Sequence, residues 1–332
     1  MSFEKETGRD LYFVQLEKEL AELIDQDTGL LDEKYAIEVD CPVCHSKDNN
    51  TLFVKRGYTF VRCCSCGMVY TNPQVRQEIV QDRYQTGLPS TELWMDVLMN
   101  SKETAWRNDY YLDILNEIER QTETKGNLLD VGCAVGHFLD IARKNNWNVT
   151  GLELSPKGYK YCQEELGLNV LNATIEESNL SRESFDAITL IGVLEHVTDP
   201  EEILRSCVSL LKKDGIILVV VPNVYSLLNM LIQKESVTFD GRNHMLYFSE
   251  DTLSCLFDKA NLNVVLSDTL LTGTQNIMKY LQYNSPYIDD NSVCYLPPKL
   301  KSYFNDNQDQ EELESWILNM NLGLRLRMIG KK

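Results

Sequence analysis

The feature that most restricts the fold of this chain is the run LLDVGCAVGHFL at residues 128–139, where an apolar segment meets a bend containing glycines. Glycines let the backbone approach a ligand closely, and the amides of a helix starting at about His137 suit an anionic or polar group. The spacing is GxAxG, from Gly132 through Ala134 to Gly136. Because it lacks the third glycine of the dinucleotide pattern GxGxxG, a nucleotide-type loop is predicted and a dehydrogenase is disfavoured.

Short apolar segments alternate with helical ones after residue 126, which is typical of parallel βαβ units. The predicted strands are 127–131, 148–154, 169–171, 185–191, 215–221 and 263–267, followed by a last strand within the ten residues that begin at Gly323. The expected fold class is α/β, with a Rossmann-like seven-stranded sheet. The second strand leads to Glu153, whose carboxylate is placed to accept hydrogen bonds from both hydroxyls of a ribose.

Two cysteine pairs precede this region. Cys41 and Cys44 enclose two residues, Cys63 and Cys66 enclose two more, and 18 residues separate the pairs. This spacing is that of a tetrahedral zinc site made of four thiolates, on a ribbon whose hairpin turns at Gly57. Since four sulfurs leave no open position for water or substrate, the predicted Zn²⁺ is structural. A ribbon of this kind is also compatible with docking a protein or a nucleic acid.

Composition and charge limit the classes of molecule that this protein can bind. The 332 residues carry a formal net charge of −18, whereas proteins that bind DNA or RNA depend on Lys and Arg to displace counterions. The charged segment MSFEKETGRD lacks the apolar core of a signal peptide, and the longest apolar run, residues 215–222, is too short to cross a bilayer. We therefore expect a cytoplasmic protein with a small-molecule partner, without a membrane span, and not a nucleic-acid binder.

The motifs together resemble the class I S-adenosylmethionine (SAM) dependent methyltransferases across roughly residues 110–270. The likeness continues in FDAITLIGVLEHVTDP at residues 185–200 and in LLKKDGIILVVVPN at residues 210–223. It implies SAM as the cofactor, with the bend around its methionine part, Glu153 at its ribose and residues 173–175 along its adenine. The predicted cofactor-binding residues are Asp130, Gly132, Cys133, Ala134, Gly136, Glu153, Leu154, Ala173, Thr174, Ile175 and Ile191. Cys133 is expected to be a small buried filler.

The resemblance gives a domain organisation. We predict an N-terminal helical segment at 1–37, the zinc ribbon at 38–73, a helical connecting layer at 74–122 and the methyltransferase domain at 123–332. Cap insertions are expected at about 223–247 and 270–320 within the last domain. In the first segment, helical spacing predicts an amphipathic helix over residues 9–25, with a packed side formed by Leu11, Val14, Leu20, Leu23 and Ile24.

Methyl transfer is an in-line displacement that needs an aligned nucleophile and, for many acceptors, a base. The chain has four histidines; His45 belongs to the ribbon and His137 opens the helix behind the bend. His196 follows Glu195 after the fourth strand, where ligands bind in open α/β sheets. His244 precedes a helix that Ser249 is expected to cap. The predicted catalytic residues are therefore His244, His196 and Glu195, and either histidine is a candidate base.

The whole arrangement resembles the zinc-ribbon sugar C-methyltransferases and their relatives that act on other small molecules. In those sugar enzymes a histidine at the position of His244 acts as the base, and the resemblance implies that role here. The predicted function is SAM-dependent methylation of a small molecule, with a sugar or nucleotide sugar favoured, at oxygen or carbon. Tyr84, Tyr247 and Asn223 are candidates to line the acceptor pocket. Two alternatives remain: a protein or RNA acceptor, and a non-catalytic scaffold that keeps the fold.

Overall fold

The computed structural model describes residues 3–281 and 307–332. The helices are α1 (Phe3–Thr7), α2 (Arg9–Ala21), α3 (Gln77–Gln85), α4 (Pro89–Met99), α5 (Ser101–Gln121), α6 (His137–Lys144), α7 (Pro156–Glu164), α8 (Pro200–Leu210), α9 (Leu227–Ile232), α10 (Glu250–Lys259), α11 (Thr274–Leu281) and α12 (Asn307–Asn319). The strands are β1 (Ala36–Ile37), β2 (Asn49–Lys55), β3 (Tyr58–Cys63), β4 (Val69–Thr71), β5 (Gln74–Val75), β6 (Asn127–Val131), β7 (Asn148–Leu152), β8 (Val170–Leu171), β9 (Phe185–Ile191), β10 (Leu211–Pro222), β11 (Leu246–Tyr247), β12 (Asn263–Leu270) and β13 (Arg325–Lys331). Short 3-10 turns span Leu194–His196 and Gln233–Glu235.

Seven strands form one sheet in the order β12-β13-β10-β9-β6-β7-β8. The five strands from β10 to β8 pair in parallel, and β13 runs antiparallel to both β10 and β12. The central strands are almost wholly apolar and buried, as expected for strands covered by helices on both faces. The predicted α/β fold class with a seven-stranded Rossmann-like sheet is confirmed.

All the predicted strands of the large sheet are present, and some of them begin or end at other residues than predicted. Strands β6 and β9 have the predicted bounds, whereas β7 ends at Leu152 and not at residue 154. Strand β10 begins at Leu211, four residues earlier than predicted, because the pairing with β9 starts there and is then interrupted before Ile216. Of the two predicted cap insertions, the one at about 270–320 includes residues 282–306, which lie outside the described residues.

The cysteine-containing region forms a four-stranded antiparallel sheet in the order β11-β4-β3-β2. Strands β2 and β3 are the predicted hairpin, and Gly57 takes the left-handed φ of 82° at its turn. Strand β11 comes from the chain after β10 and pairs with β4. The amide of Thr71 also donates to the carbonyl of Met245 at 3.0 Å. The ribbon and the α/β part therefore share one sheet.

The helices before the large sheet pack on it and on each other. Asn100 caps helix α5, because its side chain accepts from the amide of Lys102, and the helix buries Ile114 and Ile118 against sheet residues. Helix α2 packs on α4. The prediction for α2 was wrong at Leu11 and Val14, which are 60% and 51% exposed, because the helix turns the face containing Leu16 and Leu20 inward. No helix among the described residues combines the length and apolar character needed to cross a membrane.

Candidate active site

The loops after β6, β7 and β9 meet at one edge of the large sheet, because these strands are parallel. The strand order reverses between β6 and β9, since the chain continues from β6 outward to β7 and β8, and from β9 outward to β10. Ligands of open α/β sheets bind at the carboxyl ends of the strands at such a switch point. The structure therefore brings residues 130–136, 153–154 and 195–196 to the same edge.

The bend after β6, residues 132–136, has an unusual backbone. Gly132, Ala134 and Gly136 take positive φ angles of 71°, 50° and 73°. A Cβ at Gly132 would lie 2.8 Å from Cγ2 of Val193, which belongs to the loop after β9. The amides of Gly132 and Cys133 both donate to the carbonyl of Leu152. The bend is thus fixed against β7 and closes tightly against the neighbouring loop, which leaves its peptide groups in close reach of a ligand.

Glu153 ties the end of β7 to this bend. One carboxylate oxygen accepts from the amide of Ala134 at 2.8 Å, and the other accepts from the amide of Ser155 at 2.6 Å. Burial raises the pKa of Glu153, and these amide hydrogen bonds oppose the increase. The amide of Leu154 also bonds this carboxylate, which leaves one of its four lone-pair sites for a further donor. The predicted hydrogen bonds to a ribose remain a prediction, since the contacts seen here are to the backbone.

The remaining predicted cofactor residues fall into two groups. Asp130 is buried, accepts from the hydroxyl of Thr189 at 2.6 Å, and has a pKa raised by burial to about 7. Cys133 and Ile175 are also buried, and the filler role expected for Cys133 agrees with its position under the bend. Side chains at the edge of the bend remain partly accessible; they are Leu154, Ala173, Thr174 and Ile191.

The two candidate base histidines lie side by side, with ring centroids 4.9 Å apart. Nδ1 of His196 lies 2.6 Å from the carbonyl oxygen of Asn243, and Nδ1 of His244 lies 3.1 Å from the carbonyl oxygen of Thr238. Because a carbonyl oxygen only accepts, both Nδ1 atoms carry a hydrogen, and Nε2 is the nitrogen of each ring that can accept a proton. Burial, with the neighbouring His244 and Arg83, holds the pKa of His196 well below its usual range.

Glu195 lies beneath the two rings. It is 1% exposed, and its Oε2 has no hydrogen-bond partner in the described part of the chain. Nη1 of Arg325 lies 3.6 Å from its Oε1. Burial raises the pKa of Glu195, and His244 and Arg325 oppose the increase. Ligand atoms of Glu195, His196 and His244 lie within 4.8 Å of one another, so one carboxylate and two imidazoles are arranged as they would be around a cation.

The side chains around these histidines, called here the cleft wall, are Tyr84, Tyr12, Arg83 and Arg325, of which the sequence singled out only Tyr84. The Tyr84 ring lies 6.3 Å from the ring of His196, and the Tyr12 side chain on α2 interacts with that of Asn243. Burial raises the pKa of both tyrosines, yet both keep some accessible surface. Of the predicted pocket residues only Tyr84 is on this wall. Tyr247 and Asn223 are buried and bond to the backbone, to the carbonyl of His244 and to those of residues 321 and 323.

The four predicted zinc ligands form one cluster, called here the cysteine cluster. The Sγ atoms of Cys41 and Cys66 are 3.5 Å apart, and so are those of Cys44 and Cys63. All four sulfurs lie within 4.8 Å of one another. These distances exceed the 2.05 Å of a disulfide by far. Neither Cys64, which is exposed, nor His45, which contacts Glu201 at 3.4 Å, belongs to the cluster.

Comparison with known proteins gives a match to a family model described as a methyltransferase domain, over residues 104–267. That range contains the bend and both histidines. A ubiquinone biosynthesis O-methyltransferase of Actinobacillus pleuropneumoniae is 32% identical over 163 residues, which are 46% of this chain and 67% of the relative. A protein of the same name from Coxiella burnetii is 34% identical over 107 residues, 30% of this chain and 46% of the relative. This chain thus matches about half to two thirds of these relatives.

Solved structures of similar proteins include a SAM-dependent methyltransferase of Thermotoga maritima described as a possible histamine N-methyltransferase. It is 18% identical, covers 76% of this chain and 99% of its own, and has a TM-score of 0.48. A SAM-dependent methyltransferase of Archaeoglobus fulgidus is also 18% identical, covers 77% of this chain and 100% of its own, and has a TM-score of 0.46.

Proposed function

Since this chain belongs to the SAM-dependent methyltransferases, we propose that it transfers the methyl group of SAM to a small-molecule acceptor that binds beside His196 and His244. The observation that carries the proposal is the pair of adjacent imidazoles, each held at Nδ1 by a backbone carbonyl so that Nε2 is left to accept a proton, at the same sheet edge as the bend after β6. Such a nitrogen takes the proton from an acceptor hydroxyl or an acidic C–H as the nucleophile attacks.

The bend of residues 132–136 would hold the methionine part of SAM, and Glu153 its ribose. Two observations support this fit: the glycine positions have no room for side chains, and the Glu153 carboxylate keeps a lone pair for a further donor. When bound, SAM supplies the electrophilic methyl group. The protein's own contribution is to align the acceptor with that methyl, exclude water and accept the proton.

His196 and His244 have complementary properties for the proton transfer. His196 stays neutral over the physiological range because burial and neighbouring charges lower its pKa, so its Nε2 is always free to accept. The ring of His244 is held by the carbonyl of Thr238. Its backbone is held by Asp240, whose Oδ1 accepts hydrogen bonds from the amides of residues 242–244. Glu195, close to both, stabilises the positive charge that appears on whichever imidazole becomes protonated.

We further propose that the cysteine cluster binds a structural Zn²⁺. Four sulfurs placed 2.3 Å from one ion stand about 3.8 Å apart in a tetrahedron, close to the 3.5 Å of the two sulfur pairs here. The zinc would hold β3 and β4 together and, through β4, the strand β11 that follows His244.

The acceptor is proposed to be a sugar, a nucleotide sugar or another hydroxyl-bearing small molecule. The relatives named as ubiquinone biosynthesis O-methyltransferases support a hydroxyl acceptor. The sharing of strand β11 supports a role for the ribbon inside the enzyme, because the β4 edge that a protein or RNA partner would use is already paired.

The test begins with purified protein, SAM and a panel of nucleotide sugars and simple phenols, with mass spectrometry following the gain of one methyl group. For the acceptor found, His196→Gln and His244→Gln are each made. The variant that lacks the base should lose about 10²- to 10⁴-fold in kcat with an unchanged SAM affinity. His45→Gln is the matched control, since that side chain is 64% exposed and contacts Glu201 on α8. Full turnover in both active-site variants would refute the proposed role of the histidines.

A further inference from the structure

Arg83, on helix α3, is a buried guanidinium without a carboxylate partner. It is 8% exposed, and no carboxylate among residues 3–281 and 307–332 lies within ion-pair distance of it. Its Nη1 donates to Oδ1 of Asn243. Its Nε is buried without a hydrogen-bond partner, and no described residue accepts from Nη2. Since a buried charge is costly unless it is paired, this arrangement needs an explanation.

The other two buried arginines of the described chain are paired. Nη1 of Arg242 lies 3.4 Å from Oε2 of Glu19. Arg327 bonds Asp268 through two nitrogens and Asp113 through a third. The protein thus pairs its other buried guanidinium groups with carboxylates. Its net charge of −18 shows that carboxylates are in excess over cationic side chains. Arg83 differs because the edge formed by Nε and Nη2 is left for another acceptor.

The position of Arg83 connects it to the active site. Asn243 accepts from Arg83 through its side chain and from Nδ1 of His196 through its carbonyl, so one residue bridges the two groups. The guanidinium carbon lies 4.6 Å from the centroid of the Tyr84 ring, which in turn faces His196. A ligand held by Arg83 is therefore held one side chain away from a candidate base.

We propose that the methyl acceptor carries an oxyanion, a carboxylate or a phosphate, and that Arg83 binds it. The Nε and Nη2 donors form the fork that matches two oxygens of such a group. Bound this way, the anion fixes the distance between the acceptor's nucleophile and Nε2 of the histidines. This inference deepens the proposed function and rests on it, because it names the chemical class of the acceptor in the same cleft.

The experiment measures binding without turnover, by calorimetry on the zinc-loaded protein saturated with S-adenosylhomocysteine. Two matched pairs of probes are titrated: glucose 1-phosphate against methyl glucoside, and benzoate against benzamide. At least one anion should bind, and its neutral counterpart should bind at least about 10-fold more weakly. Binding of the phosphate alone or of the carboxylate alone identifies the source of the oxyanion, and either result supports the proposal.

Two variants locate the site. Arg83→Gln removes the positive charge and should weaken the binding of the anion about 10- to 100-fold. Asn243→Asp keeps Arg83 but places a carboxylate on it, so the internal anion should exclude the ligand to a similar extent. This second variant also keeps the test decisive if Arg83→Gln does not fold. Arg327→Gln is the control for loss of a buried arginine, and its anion affinity should equal that of the wild type.

Failure to bind either anion, or equal affinity in the wild type and in Asn243→Asp, overturns the proposal. A separate titration with SAM, and the search for a methylated product, report on the proposed function independently. Loss of anion binding with intact SAM binding and methyl transfer removes only the role of Arg83. Anion binding that depends on Arg83 without any affinity for SAM removes the proposed function instead.

Discussion

Gly136 and Ala134 have the same left-handed backbone conformation but different surroundings. A Cβ at Gly136 would lie 2.7 Å from Cδ1 of Leu168 and 2.8 Å from Sγ of Cys162, whereas the protein already accommodates a Cβ at Ala134 with its φ of 50°. Gly136→Ala should therefore destabilise the fold by about 2–4 kcal/mol, from backbone strain and overpacking. Ala134→Gly should change the free energy of unfolding by less than about 1 kcal/mol. Denaturant unfolding measures both.

Comparing the two variants separates the effect of tight packing around the bend from the effect of the number of glycines in it. If the bend tolerates Gly136→Ala with unchanged stability and SAM affinity, the tight packing behind it has no role in forming the cofactor site. The sequence predicts the glycines and their spacing, because the left-handed conformation is a local requirement. It does not predict Arg83 or Tyr12 in the cleft, since nothing in their local pattern marks them, and they reach His196 only through tertiary packing.

At the scale of elements, the pairing of β4 with β11 links the cysteine cluster to the active site. Cys63 ends β3 and Cys66 lies three residues before β4. The pairing places Leu246 and Tyr247 of β11 opposite Tyr70 and Val69. The residue two positions before β11 is His244, so the position of that imidazole depends on the ribbon sheet. The hairpin of β2 and β3 was predictable from neighbouring residues, whereas this pairing joins segments about 175 residues apart in the chain, at Tyr70 and Leu246, and leaves no local signal.

Loss of the proposed Zn²⁺ should therefore reduce catalysis more than cofactor binding. We expect Cys66→Ser to lower zinc content and to reduce kcat by about 10²-fold, the order of effect that a misplacement of about 1 Å has on a reacting group. SAM affinity should stay within about twofold, because the bend after β6 is held by hydrogen bonds to Leu152, Glu153 and Cys162, which belong to the α/β part. Cys64→Ser, next to the cluster but exposed, is the matched control. A variant that loses zinc and retains full kcat would contradict the coupling.

On the scale of the whole molecule, the two halves of the site come from different parts of the chain. The family model covers residues 104–267 and includes the bend, Glu153 and both histidines. The cleft wall adds Tyr12 from α2, Arg83 and Tyr84 from α3, and Arg325 from β13, all outside that range. The general part of the site was accessible to sequence reasoning because it follows a recurring pattern of strand, bend and helix. On the cleft wall the sequence pointed to Tyr84 but not to Tyr12, Arg83 or Arg325, because that wall is assembled from distant and irregular segments.

This division predicts that substitutions on the cleft wall change the acceptor's binding and leave the cofactor's binding intact. Tyr12→Ala removes a ring that packs 4.8 Å from the ring of Trp94 and interacts with Asn243. We expect the KM of the acceptor identified by mass spectrometry to rise about 10-fold, which corresponds to about 1.4 kcal/mol of lost contact, with the calorimetric SAM affinity unchanged. Leu11→Ala, one residue earlier on the same helix and 60% exposed, controls for effects on α2 itself. If Tyr12→Ala weakened the binding of SAM and of the acceptor equally, the division would be wrong. Such a result would mean that α2 stabilises the whole sheet, because Tyr12 could then affect the bend only through the stability of the fold.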